Sequence, residues 1–428
     1  MIKHTPLWWE TAPQPKSYTG NPLPTQTDVV VVGGGFTGTS AALQLAKKGA
    51  NVTLLEAKTI GYEASSRNGG QALSCLHYTL TEIVEQHGKT LAGEMFLAAV
   101  EAANTVERIV KEENVECDYT RCGSVEAASK PAHFERFKRE QELLKEVANF
   151  DVQIIPKSEQ RSELGTDAYH GVMVNPRGGS VQPAKFVRGM AEAAVRAGAH
   201  IHEGVRVQNI ERVQGSMDGI KFKVHTEAGV IEAKDVIVAA NAWVGKLIPQ
   251  FRLKVFPGES YVIATEPLND ELAQTLIPHN RVAYDTRHIL AYYRLSPEKR
   301  MTWGGELTLR GVSPQRNINA LQKGMVKIFP ELVNTKLDYF WNGTLALTLD
   351  ETAHAGQTSD GIWYSMAYVG HGVTLATYLG QQMANEVLGL SSNNPFANLN
   401  IPFIPPYREN AWFVNVGKLW YRVLDMLG

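Results

Sequence analysis

The chain has 428 residues, 44% of them apolar and 20% charged, which excludes a disordered, collagenous or coiled-coil protein. The length exceeds one ordinary domain and implies two domains sharing a cleft. With 42 basic and 44 acidic residues the formal net charge is −2, and no dense Lys/Arg run marks a nucleic-acid surface.

Residues 1–26 contain Pro6, Pro13, Pro15, Pro22 and Pro24 and read as an extended arm, anchored to the body by Trp8 and Trp9. The arm has no apolar core of signal-peptide length, and no apolar stretch is long enough to span a membrane. Cys75, Cys117 and Cys122 are too few and too irregular for a disulfide framework or a zinc site. Free thiols, a cytoplasmic location and no metal are therefore expected.

Residues 29–32 are four valines, the pattern of a buried parallel strand. They run into Gly33, Gly35 and Gly38, spaced as GxGxxG. Residues 39–48 follow as a helix that Gly49 stops, and residues 52–55 form a second strand ending at Glu56. Each part of this βαβ unit has a mechanical task. Gly33 permits the turn, Gly35 admits a pyrophosphate to the backbone, and Gly38 lets helix and strand pack closely. The helix N-terminus presents N–H groups to the anion, and Glu56 accepts hydrogen bonds from ribose hydroxyls. A ligand-free βα turn is the alternative, but the full context favours dinucleotide binding.

Ser65 to Gln71 form a second glycine-bearing loop, in which Gly69 and Gly70 clear space for a flat ring. Helical spacing follows over residues 89–113 and 132–148, then over 185–197 after Pro183. Strand patterns cover 201–210, 220–226, 230–232 and 236–240. Residues 252–339 change character, with alternating, aromatic-rich runs at 260–265, 289–295 and 301–303 that imply an antiparallel sheet. Residues 362–369 are apolar, Gly370-His371-Gly372 is a tight turn, and 373–388 is helical. The segment 411–427 alternates aromatic and polar residues and is expected to pack on the body.

These features together resemble the FAD-dependent oxidoreductases of the D-amino-acid oxidase superfamily. The resemblance covers nearly the whole chain. It rests on Gly33 to Gly38 with Glu56, on Arg67-Asn68-Gly69-Gly70-Gln71 and on Val238 to Trp243. It rests further on Tyr292-Tyr293-Arg294-Leu295, Trp341-Asn342-Gly343 and Gly370-His371-Gly372-Val373-Thr374. It implies an α/β fold: a Rossmann-like FAD-binding domain interleaved with an α+β substrate domain on an antiparallel sheet. The FAD-binding part is expected at residues 27–75, 180–245 and 341–390. The substrate domain with a helical insertion is expected at 76–179 and 246–340, and a tail at 391–428.

The resemblance also places the cofactor. Gly33, Gly35, Phe36, Thr37, Gly38, Glu56 and Ala57 would hold the nucleotide, with Val207, Ala240 and Asn241 on the pyrophosphate and adenine side. Ser66 to Gln71 would run beside the isoalloxazine, next to Gly343. Gly370, His371, Gly372, Val373 and Thr374 would cap its pyrimidine end, where helix N–H groups stabilise negative charge. No Cys or His occupies the attachment position of covalent relatives, so noncovalent FAD is expected.

The implied reaction oxidises a C–N bond of a small amine, a polyamine derivative foremost. Sarcosine, glycine or a D-amino acid is the alternative substrate, and a flavoprotein subunit without turnover is the alternative role. Electrons would pass to oxygen or another acceptor. Tyr261, Tyr292, Tyr293, Trp303 and Trp341 are candidate pocket aromatics, with core packing as the competing reading. Arg294 is a candidate carboxylate anchor, and His371 is a candidate catalytic group whose glycine turn fits a positional role better. Amino-acid-oxidising relatives carry Gly-x-Arg-Pro where this chain has Gly343-Thr344-Leu345-Ala346, so the arginine that grips an α-carboxylate is replaced by Leu345.

Overall fold

A computed structural model describes residues 1–214, 219–308, 313–397 and 399–403, so the aromatic segment 411–427 lies outside the described residues. The four valines lie in the strand Gln26–Val32, parallel to Val52–Glu56 on one side and Gly229–Val238 on the other. Val30 and Val31 are fully buried, because helices cover one face and the other packs on an apolar cluster of its own. This eight-stranded sheet runs, in order, through His354–Gln357, Trp363–Met366, Gly229–Val238, Gln26–Val32, Val52–Glu56 and His200–Glu203. Phe222–Thr226 is appended antiparallel to Gly229–Val238, and Val207–Arg212 antiparallel to Phe222–Thr226.

The glycine loop leaves the C-terminal edge of the central strand and enters the helix Phe36–Lys47. That helix lies against Pro183–Arg196 and Gly372–Val387. Gly380 allows the last approach, since a Cβ there would stand 2.3 Å from the Thr37 carbonyl oxygen.

A second eight-stranded sheet follows the order Leu337–Leu347, Phe256–Thr265, Met301–Thr308, Tyr292–Leu295, Val282–Asp285, Ser124–Ala127, Gly171–Asn175 and Gln153–Pro156. All its pairings are antiparallel except that of Val282–Asp285 with Ser124–Ala127. Alternation gives the sheet two faces. Ile263, Tyr293, Trp303 and Phe340 join one core cluster with Leu276 and Leu321 of the helices Asp270–Leu276 and Pro314–Ile328. Val262, Trp341 and Tyr292 belong to the other face, which meets the N-terminal arm and the loop following Glu56.

The segment 76–179, expected together with 246–340 as substrate domain and helical insertion, holds three strands of the second sheet and the helices Leu80–Glu112 and Pro131–Ala148. The structure corrects several other sequence readings. Leu337–Leu347 is one strand of that sheet, so residues 341–347 pair there rather than in the FAD-binding part. The run 201–210 is two strands parted at Gly204, which has φ +72°, while 230–232 and 236–238 belong to one strand, Gly229–Val238. The helix expected from 89 does follow a non-helical Gly88 with φ 80°, and the sequence reading missed the shorter helical stretch before it, which starts at Leu80 behind a Thr79–Glu82 capping box. Among the described residues no helix is long and apolar enough to cross a membrane, and no metal-binding cluster forms.

Candidate active site

The nucleotide cradle is built from backbone that side chains would fill. Gly33 has φ +112°, and a Cβ there would stand 2.6 Å from the Ala239 carbonyl oxygen. At Gly38 the added carbon would be 1.9 Å from the Gly33 carbonyl oxygen. Gly35 is the N-cap of Phe36–Lys47 and supplies no side-chain cap. Ser65 Oγ accepts the Phe36 N–H at 3.0 Å and so ties the next loop to the cradle. Glu56 is oriented by two donors, Gly34 N–H at 2.7 Å and Lys58 N–H at 2.8 Å. Burial raises its carboxyl pKa against those donors, and ribose hydroxyls would add the stabilisation it lacks. Val205 N–H donates to the Glu56 carbonyl, so the chain leading to Val207 starts beside Glu56, the residue before Ala57. Ala240 and Asn241 follow Gly229–Val238, and Asn241 Oδ1 accepts the Ala367 N–H at 3.1 Å. An FAD nucleotide fits this cradle: open glycine backbone, a bare helix end and one oriented carboxylate.

The loop over Ser66 to Gln71 is held from every side. Trp8 Nε1 donates to the Asn68 carbonyl at 2.8 Å, and Trp9 Nε1 to Ser66 Oγ at 2.7 Å. Arg67 donates to the carbonyls of Tyr62 and Asn342 and lies over the Trp9 ring, 4.5 Å from its centroid. Asn68 Oδ1 accepts the Gly70 N–H at 2.8 Å, and Gln71 Nε2 reaches the carbonyls of Ala283 and Tyr293 at 3.2 Å each. Below lies one face of the second sheet. A Cβ on Gly69 would meet the Tyr292 ring at 3.0 Å, and one on Gly343 would meet the Arg67 side chain at 3.2 Å. Trp341 Nε1 donates to the Arg67 carbonyl at 2.8 Å.

Arg294 is part of this scaffold. It is 3% exposed and donates to the Gly69 carbonyl at 2.9 Å and the Val181 carbonyl at 2.7 Å, with its plane 5.0 Å from the Trp8 ring. Burial lowers its pKa to about 10. An Arg294→Met substitution leaves both carbonyls without a donor, so we expect a stability loss of roughly 2–4 kcal/mol and weaker FAD retention. A thermal melt and a flavin-to-protein ratio equal to the parent's would disprove the clamp.

The loop expected to cap the flavin is strained. Ala367 has φ +60°, Val369 φ +42° and Gly370 φ +87°, and a β-branched residue at positive φ is an outlier. His371 is the N-cap of Gly372–Val387, with Val373 and Thr374 buried in its first turn. Tyr368 OH, 2.6 Å from Thr37 Oγ1, joins the cap to the phosphate helix. His371 Nδ1 lies 3.1 Å from the Val369 carbonyl, which only accepts, so Nδ1 carries the proton. Nε2 then accepts from the Cys75 thiol at 3.6 Å. Burial lowers the His371 pKa to about 4 and raises that of Cys75 to about 12.

Tyr261 does not join the other candidates. It stacks on Phe340 at 5.6 Å, donates to Glu259 at 2.7 Å, and belongs to the face opposite Tyr292 and Arg294. Tyr293 and Trp303, stacked at 4.6 Å, are core on that same far face. Strand parity decides this, and it depends on a register fixed by neighbouring strands. The sequence reading placed Ser65 in the second glycine loop without a role and named Cys75 only as a free thiol; it missed Tyr284 and Glu126, neither of which sits in a motif.

A dinucleotide cradle at the C-terminal edge of a parallel sheet, facing an antiparallel sheet across a glycine loop, defines an FAD-binding oxidoreductase fold. The chain belongs to the DAO family of FAD dependent oxidoreductases, whose profile matches residues 28–386. It is 32% identical over 404 residues to gamma-glutamylputrescine oxidoreductase of Escherichia coli (strain K12), covering 94% of this chain and 93% of that protein. The crystal structure of glycine oxidase from Geobacillus kaustophilus has a TM-score of 0.75 at 20% identity, covering 88% of this chain and 99% of the other. That of L-proline dehydrogenase from P. horikoshii has a TM-score of 0.73 at 18% identity, covering 92% and 99%. The protein is thus an enzyme with FAD as cofactor.

Proposed function

We propose that the protein oxidises the C–N bond of gamma-glutamylputrescine or a related polyamine derivative. Two things support this reading: the likeness to gamma-glutamylputrescine oxidoreductase and, above all, Leu345. Leu345 is half-buried and shares its strand face with Trp341 and Gly343, the face beside the Arg67 loop. An α-amino acid finds no guanidinium there.

When bound, FAD would supply a hydride acceptor for the carbon next to the amine nitrogen, and the substrate imine would hydrolyse to an aldehyde and ammonia. The chain's own residues orient and shield. The Ser66–Gln71 loop and Tyr292 wall the ring, and Arg294 positions that loop rather than substrate. The first turn of Gly372–Val387 stabilises negative charge. His371, neutral and engaged at both ring nitrogens, holds the cap in place.

The test is anaerobic reduction of the bound flavin by gamma-glutamylputrescine, sarcosine, glycine and D-alanine. Bleaching by the first, faster than by the others, is expected; no bleaching by any amine would defeat the reading. The amine reacts through its lone pair, and an alkylammonium titrates near about 10.4 in water. The reduction rate should therefore climb with pH on the alkaline side, where His371 at about 4 contributes no titration. A flat profile would oppose it. Acid precipitation should leave the yellow colour in the supernatant, whereas flavin in the pellet would mean a covalent link.

A further inference from the structure

Glu126 stands on the interior strand Ser124–Ala127, between fully buried Val125 and Ala127, yet its own side chain is only half-buried. It lies opposite Tyr284, and Tyr284 lies opposite Tyr292, so all three share the face that floors the site. Both tyrosines are likewise half-buried between buried neighbours. Cys75 and His371 complete one wall. From His371 Nε2 it is 3.6 Å to Cys75 Sγ, then 3.5 Å from Cys75 Sγ to Tyr284 OH, and Tyr284 OH donates to Glu126 Oε2 over 3.4 Å. Glu126 thus ends a wall that begins at the flavin cap, two side chains away from it.

A carboxylate inside a protein needs donors or a cation. Among the described residues Glu126 has one long hydroxyl contact and no cation at ion-pair distance. The neighbouring carboxylates are committed elsewhere. Glu140 accepts from the N–H groups of Leu80 and Thr81 and from the Thr81 hydroxyl, and Glu82 closes the capping box at Thr79. Arg136, the positive group that acts on Glu126, is exposed on the helix Pro131–Ala148. Burial, reinforced by Glu140, pushes the Glu126 carboxyl up to about 7. What the group lacks is a cation, and its partly exposed side chain shares the sheet face of Tyr284 and Tyr292, from which a ligand can bring one.

We propose that Glu126, oriented by Tyr284, is a subsite for a cationic nitrogen on the part of the substrate remote from the reacting carbon. This rests on the flavin ring lying at the His371 cap. The α-ammonium of a gamma-glutamyl group is such a nitrogen; a simple alkylamine has none. The subsite would select substrates charged at both ends and takes no part in bond breaking.

The test titrates FAD-loaded enzyme with two ligands that lack the reacting amine, gamma-glutamyl-n-butylamide and glutaric acid mono-n-butylamide, which differ only in the α-ammonium. Perturbation of the flavin absorbance reports binding without turnover, so the outcome stands even if no amine reduces the flavin. The wild type should bind the ammonium-bearing ligand at least about tenfold tighter. The preference should grow as pH rises through about 7, where Glu126 ionises while facing Tyr284, Cys75, Glu140, Glu82 and Arg136. Glu126→Gln should abolish the preference and raise KM for gamma-glutamylputrescine by about tenfold, with kcat nearly unchanged. Its melting temperature should not fall, because an under-partnered interior charge has been removed; a purely structural glutamate would lower it. If Glu126→Gln holds no FAD, Tyr284→Phe should cut the preference by about threefold. A wild type without preference, a Glu126→Gln protein that keeps it, or a Tyr284→Phe protein that matches the wild type would overturn the proposal.

Discussion

Replacing Gly38 with alanine should yield a protein that melts far below the parent and carries no FAD. The added carbon would sit 1.9 Å from the Gly33 carbonyl oxygen, and that atom belongs to backbone at the cradle's own turn. Neither side can yield cheaply. Gly33 is fixed by its N–H to the Leu55 carbonyl, and the helix is packed on Gly372–Val387. Overpacking that moves backbone costs about 3 kcal/mol or more, a large share of a typical total of roughly 5–15 kcal/mol. Gly35→Ala makes the informative contrast. Its Cβ would meet Ser65 Oγ at 2.8 Å, the tip of a side chain that can rotate. The apo-protein should then melt nearly as the parent does, while FAD affinity drops by about tenfold or more because the methyl group stands where the pyrophosphate approaches. Thermal melts paired with flavin-to-protein ratios separate the two cases. A Gly38→Ala protein with normal FAD content would show that the cradle is looser than the structure implies.

The parts of this site that could be read from the sequence are those whose chemistry is local. GxGxxG between a valine run and a helix carries its own geometry, and Arg67 to Gln71 announces itself by two adjacent glycines. The parts that could not be read depend on pairing at long range. Tyr261 and Tyr292 are both aromatic residues on strands, and only the register of Phe256–Thr265 against its neighbours puts them on opposite faces. Arg294 looked like a substrate anchor because nothing local shows that the Gly69 and Val181 carbonyls converge on it. Ser124–Ala127, Gln153–Pro156 and Gly171–Asn175 are short strands between long helices, too brief for a clear period. The strained cap is hidden for another reason. Positive φ at Ala367 and Val369 contradicts what those residue types prefer, so no propensity argument could find it.

Specificity constants should fall by about a hundredfold or more from gamma-glutamylputrescine to sarcosine or D-alanine on the same preparation. In amino-acid-oxidising relatives an arginine grips the α-carboxylate beside the reacting nitrogen, and two parallel charge-assisted hydrogen bonds make that grip strong. Leu345 occupies the corresponding place here and offers no donor. Two other arginines lie near the ring loop, and neither is at liberty. Arg294 is nearly inaccessible and spends Nε and Nη2 on backbone carbonyls. Arg67 spends Nε and Nη1 the same way and is held over Trp9. Releasing either would loosen the Ser66–Gln71 loop that the proposed reading sets beside the flavin. A carboxylate held against Leu345 therefore stays unpaired, at a cost of several kcal/mol, on the order of three or more. In a gamma-glutamyl substrate the carboxylate is far from the reacting carbon and avoids that wall. The comparison needs only steady-state kinetics with three substrates. Sarcosine or D-alanine ahead of gamma-glutamylputrescine would mean that an arginine does reach the carboxylate, and that Leu345 does not set the specificity.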